Sequence, residues 1–114
     1  MNAASPGESL RLALRSARSV LLTGPMFPDG DSIGACLALA RAIQHLCAAR
    51  VDIAGDIPYR YYWMPGADRI IADDKVRTDY DIVVVLDGDC RRLPAPVEHA
   101  FRQATLRGII DHHS

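Results

Sequence analysis

The chain has 114 residues, 49% hydrophobic and 24% charged, with a formal net charge of −1. That length suits one domain around one core, and the composition is that of an ordinary globular chain rather than a disordered one. The near-neutral balance excludes a surface built to coat polyanions, so no duplex nucleic acid partner is expected, while a small anion held locally remains compatible.

Residues 5–18, SPGESLRLALRSAR, open with turn residues and then read as a short helix. Arg11, Arg15 and Arg18 share one face of it, which reads as solvated. SVLLTG is the first strand. Ser32 to Ala49 carries the best helical pattern, with Leu39, Ile43 and Leu46 on one side and Arg41, Gln44 and His45 on the other. Cys36 and Cys47 lie inside that run and read as small core residues. With Cys90 they make three cysteines, an odd number without metal-type spacing, which argues against a disulfide framework or a zinc ribbon.

RVDIAGD is a second strand. PYRYYWMPGADRII is turn-rich, with a short helix expected near Tyr59 to Trp63. Trp63 and the tyrosines Tyr59, Tyr61 and Tyr62 could stack a base, but packing of this connection against the sheet is the favoured reading. DIVVVLD is the third strand, and its unbroken apolar run suits a central parallel strand covered on both faces. Val97 to Ala104 is a helix, with His99 facing solvent as His45 does, and RGIID is a fourth strand. The alternation predicts an α/β fold: a parallel sheet of about four strands with crossover helices on both faces. The last residues follow directly on a strand, so the chain is expected to be an N-terminal piece of something longer. No apolar run reaches the roughly 18 residues of a membrane span, and MNAASPGES lacks a secretory pattern. A cytoplasmic protein without a membrane partner is therefore expected.

In a parallel sheet every strand delivers its carboxyl end to one edge, where ligands bind. Asp29 and Asp31 follow the first strand, Asp87 and Asp89 the third, and Asp111, His112 and His113 the fourth. Carboxylates gathered there repel unless a cation lies between them. Oxygen donors with imidazole suit Mn²⁺ or Mg²⁺ better than zinc. A carboxylate at Asp87 could bridge two such ions in the arrangement used against phosphate esters. The helix beginning near Ser32 would offer free N–H groups to an anion. An EF-hand reading fails, because Ile33 and Ala40 occupy the fifth and twelfth positions counted from Asp29. A haloacid-dehalogenase reading of LDGDC meets Arg91 where Thr or Val is wanted.

FPDGDSIGA, VVVLDGDCRRL and GIIDHHS, in that order, resemble the three motifs of the DHH phosphoesterase family, over residues 20–114. PDGDSIGA and LDGDCRRL look most like the bacterial nano-RNase and pAp phosphatase group. The resemblance implies a manganese-dependent hydrolase acting on short oligoribonucleotides or 3′-phosphoadenosine 5′-phosphate. Its partners would be a small nucleotide or short single-stranded RNA, with a homodimer compatible. It places Asp29 and Asp87 on one metal ion, and Asp31, Asp87 and His112 on a second. It gives Asp111 an orienting role in catalysis and sets His113 against the scissile phosphate. Arg92 stands where the family often has an arginine after the second motif, which reads as a phosphate or structural contact, with a solvated arginine as the alternative.

Two departures qualify these expectations. The family's first motif begins with a metal-ligand histidine where this chain has Pro25. The family also supplies a further aspartate and a C-terminal substrate-binding domain beyond the third motif, which leaves residues 1–114 as a partial N-terminal domain. The alternative expectation is accordingly a truncated or degenerate remnant, an interaction module that keeps the fold without catalysis.

Overall fold

The computed structural model describes residues 12–24, 30–46, 49–55, 59–86 and 93–110, with backbone alone for residues 30–32, 46, 59 and 110. In chain order these form helix α1 (residues 12–16), β1 (Ser19–Thr23), α2 (Gly30–Leu46), β2 (Arg50–Ala54), β3 (Ile70–Ile71), β4 (Ile82–Leu86), α3 (Ala95–Gln103) and β5 (Leu106–Ile110). Short 3-10 turns cover Tyr59–Tyr61, Ala67–Arg69 and Asp73–Lys75.

Five strands form one sheet in the order β3-β2-β1-β4-β5, and every pairing is parallel. The α/β class stands, with one strand more than the pattern predicted. β3 has two residues, too few to show any period, and it pairs only with Ile53 and Ala54 at the end of β2.

Period-two alternation divides the core into two layers. Val20, Leu22, Ile82, Val84 and Leu86 point toward α1 and α2, where they meet Leu14, Cys36, Ala40 and Ile43. Leu21, Val83 and Val85 point the other way and meet Val97 and Ala100 of α3, with Leu93 and Tyr80. All five residues of β4 are buried, as expected of a central strand. Each Val, Leu or Ile buried this way contributes about 1.5–3 kcal/mol before entropy is charged against it.

The strand order reverses at β1 and β4. From β1 the chain moves outward through α2 to β2, and from β4 it moves outward the other way through α3 to β5. Right-handed crossovers running in opposite directions require helices on opposite faces, and that is where α2 and α3 lie.

Helix α2 buries the predicted side with its centre shifted toward the small residues, and the side chain of Leu46 lies outside the described ones. Ile33, Cys36, Ala40 and Ile43 face the sheet, Leu39 is half-buried, and Arg41, Gln44 and His45 are exposed. Small residues at 36 and 40 let the helix approach closely, so bulk at position 39 falls to its flank. Cys36 is a core residue whose thiol burial pushes up to about 12, which makes it inert at neutral pH. In α1 Leu14 is buried while Leu12 and Arg15 are exposed; Arg18 follows the helix and is exposed too, and Arg11 lies outside the described residues.

Candidate active-site edge and its opposite rim

β1, β4 and β5 are adjacent, parallel and in register at their carboxyl ends, with Thr23 beside Val85 and Leu86 beside Ile110. Neighbouring strands lie about 4.8 Å apart, so these three ends fall within roughly 10 Å of one another. The edge between β1 and β4 is also the point at which strand order reverses, the place where open α/β sheets bind ligands. Helix α2 starts at this edge, and the backbone of Asp31 belongs to its first turn. A helix of 17 residues directs its free N–H groups and the positive end of its dipole there. Thr23, at the end of β1, is fully buried, and its hydroxyl donates to the Ala54 carbonyl at 3.3 Å. That bond holds the ends of β1 and β2 together beneath the edge.

Asp29, Asp87, Asp89, Arg92, Asp111, His112 and His113 lie outside the described residues, as do Pro25, Cys47 and Cys90. The described backbone reaches Leu86 and Ile110, one peptide bond short of Asp87 and Asp111. Among the described residues no group of three or more His, Cys, Asp or Glu side chains could hold a metal ion. The chemistry of the expected donors still fits a hard divalent cation. They are three carboxylates and an imidazole, and the described cysteine, Cys36, is packed under α2 and offers no thiolate.

A second feature borders the same edge. β2 ends at Ala54, and β3 pairs only with its last two residues, so the connection between them leaves and rejoins the sheet near the carboxyl ends. Its described part, residues 59–69, is a run of tight turns. The Met64 N–H donates to the Tyr61 carbonyl at 3.1 Å, Ala67 to Met64 at 3.0 Å, and Arg69 to Gly66 at 2.9 Å. Gly66 has φ 87°, a left-handed conformation that favours glycine. The run lies along α2: a Cβ built on Gly34 would sit 3.5 Å from the Met64 methyl, and one on Gly66 would sit 3.3 Å from Leu37. Arg69 reaches Gln44 at 3.2 Å. Contrary to the packing favoured from sequence, Trp63 is 74% exposed and Tyr62 61% exposed. Met64 takes the inward position instead. The sequence did carry a signal, since Pro65-Gly66 forces a turn directly behind the aromatics.

The amino ends of the strands form an opposite rim that sequence reading did not single out. The Arg18 N–H donates to Asp81 Oδ2 at 2.7 Å, and the Asp81 N–H donates to the Ser19 hydroxyl at 3.1 Å. The Tyr80 hydroxyl donates to Asp52 Oδ2 at 2.6 Å, and Arg50 lies 3.3 Å from the same oxygen. Burial first, and then the bond to the Asp52 carboxylate, pushes the Tyr80 phenol up to about 12. Arg77 grips Asp79 through two bonds of 2.9 and 2.8 Å and holds its carboxyl below the usual range. A groove of about 310 Å³ runs between Arg18, Arg50 and Arg77 on this rim.

No helix among the described residues is long and apolar enough to cross a membrane. The fold is shared with a solved exopolyphosphatase-related protein from Bacteroides fragilis, at a TM-score of 0.81 and 22% identity. The match covers 93% of this chain and 34% of that one, so this chain spans about a third of the length of its structural neighbour. The DHH family N-terminal domain matches residues 19–114, which take in all five strands and all three motif stretches. With sequence pattern and sheet topology in agreement, the chain belongs to the DHH family through that domain.

Proposed function

We propose that this chain carries the catalytic edge of a metal-dependent phosphoesterase acting on short oligoribonucleotides or 3′-phosphoadenosine 5′-phosphate. The observation that carries this reading is the adjacency of β1, β4 and β5, whose carboxyl ends run on into the three acidic motifs. Asp29 and Asp87 would hold one divalent cation, and Asp31, Asp87 and His112 a second. A bound Mn²⁺ or Mg²⁺ pair supplies an acidified water nucleophile and neutralises charge on the phosphoryl oxygens. Asp111 would orient a ligand by accepting its hydrogen bond, and His113 would donate to a phosphate oxygen. Arg92 would anchor a second phosphate, and the amino end of α2 would favour an anion beside it. The first experiment adds Mn²⁺ to the purified chain with pAp or a dinucleotide and measures released product. Turnover that vanishes in Asp87→Ala supports the reading, and no metal-dependent turnover overturns it for this chain.

A second reading follows from one residue. Pro25 stands where the family motif has an imidazole, so the site is one donor poorer and its affinity for a transition metal falls. On that reading the chain keeps the fold as a non-catalytic module. Calorimetry separates the two: a bound pair of Mn²⁺ ions favours the enzyme, and no heat of binding favours the module.

A further inference from the structure

The phosphate chemistry proposed above leaves open what distinguishes a nucleotide from a bare phosphate chain. An inorganic polyphosphate presents only charged oxygens, so the best surface for it is made of cations and N–H groups. A nucleotide adds a flat aromatic base, which gains from an aromatic face within reach of the phosphate site.

Such a face is present. Trp63 is a large apolar side chain left 74% exposed, beside Tyr62 at 61%. A single exposed aromatic means little by itself, but this one has a defined place. Met64, the next residue, packs on Gly34, in the turn of α2 that follows Asp31. At 1.5 Å rise per residue, Gly34 stands about 4.5 Å along the helix axis from Asp31, so the turn that carries the aromatics lies beside the opening turns of α2. The turn that presents them is pinned at both ends, by the Met64–Tyr61 bond before Pro65 and by the left-handed Gly66 after it. An aromatic held on a stiff turn loses little freedom when a base stacks on it.

We infer that Trp63 is a base-stacking residue: it receives the nucleobase of a substrate whose phosphate lies at the carboxyl ends of β1 and β4. The role rests on the phosphoesterase reading for its phosphate half and on the exposed turn for its base half. It makes the preferred substrate a nucleotide or short single strand rather than an inorganic polyphosphate. Recognition is tolerant of base identity, because every base has a π-face.

Trp63 is the chain's only tryptophan, so its emission reports the contact directly. AMP is titrated against the full chain beside ribose 5-phosphate, which has the same phosphate and sugar but no base. Quenching by AMP and not by ribose 5-phosphate is the expected result, and equal responses overturn the proposal. In a second arm, hydrolysis of a dinucleotide and of its abasic counterpart is compared in wild type, Trp63→Ala and Trp63→Phe. The dinucleotide is expected to be preferred through KM by roughly 10-fold. That preference collapses in Trp63→Ala and largely survives in Trp63→Phe. An unchanged preference in Trp63→Ala overturns the proposal. If the chain hydrolyses neither substrate, the phosphoesterase reading has failed, and the emission titration alone decides the role of Trp63.

Discussion

Both rims of the sheet draw on acidic residues, and the amino rim satisfies its acids within the fold. At the amino rim each acid has its own partner: Asp81 the Arg18 N–H, Asp52 the Tyr80 hydroxyl, and Asp79 the Arg77 guanidinium. Backbone bonds stitch the same rim across the strands, Arg50 to Arg18 at 2.9 Å and Leu106 to Asp81 at 2.9 Å. At the carboxyl rim the sequence supplies five aspartates in FPDGDS, LDGDC and IDHHS, with Arg91 and Arg92 as the accompanying cations. Acids that are satisfied internally stabilise a fold, whereas like charges gathered with no cation between them cost stability, and the proposed function casts the carboxyl-rim aspartates in that second role. Three arginines around a groove on the amino rim would suggest an anion site, but Arg50 and Arg77 are already committed to Asp52 and Asp79.

This contrast can be broken by exchanging the roles of the two rims. The largest effect is expected from Asp87→Asn, which should lower the proposed Mn²⁺-dependent hydrolysis by at least about 100-fold. Its metal-free thermal unfolding midpoint should stay level or rise, because a repelling charge is gone. A clear drop in that midpoint would place Asp87 among structural acids.

Asp52→Ala should do the reverse. Removing the carboxylate leaves the Tyr80 hydroxyl without its acceptor and should cost about 1.5–3 kcal/mol in chemical denaturation, with metal-dependent turnover kept. Loss of turnover without loss of stability would erase the distinction between the rims.

Alkaline pH sharpens the same point. Tyr80 has a folded pKa near 12 against an ordinary value near 10, so its contribution is complete below about pH 10 and is lost as pH rises through about 12. Stability of the wild type should therefore fall over that window. Tyr80→Phe should be less stable at neutral pH by about 1 kcal/mol and flatter across the window. The smallest effect belongs to Glu98→Ala, which breaks the exposed Arg102–Glu98 pair of α3 at 2.7 Å and should stay within about 0.5 kcal/mol by denaturant titration.

Much of the fold was legible in the chain because its elements are strongly patterned. The apolar run of β4, covered on both faces, survives as read, and so does the long helix after β1, with bounds moved from residues 32–49 to Gly30–Leu46. The site was legible as three motifs in order, since acids and histidines after apolar strands have no packing purpose of their own. Details that depend on a partner element were not legible. The buried stripe of α2 shifted because the sheet selects which side of a mostly apolar helix it receives. Trp63 read as packing material because Pro65-Gly66 marks the turn but does not say which neighbour, Trp63 or Met64, faces inward.

By itself the sequence determined the α/β class, the order of helices and strands, and the three motif stretches that lie within the DHH N-terminal domain match, since each is a property of a short run of residues. Only the tertiary structure decided that β1 sits between β2 and β4 and that the reversal of strand order falls where the first two motifs begin. It alone assigned each acid of the amino rim a partner and left Trp63 in the open. The physical reason is that neighbours in a parallel sheet are chosen by crossovers and layer packing between segments remote in the chain, and exposure is what remains after that choice.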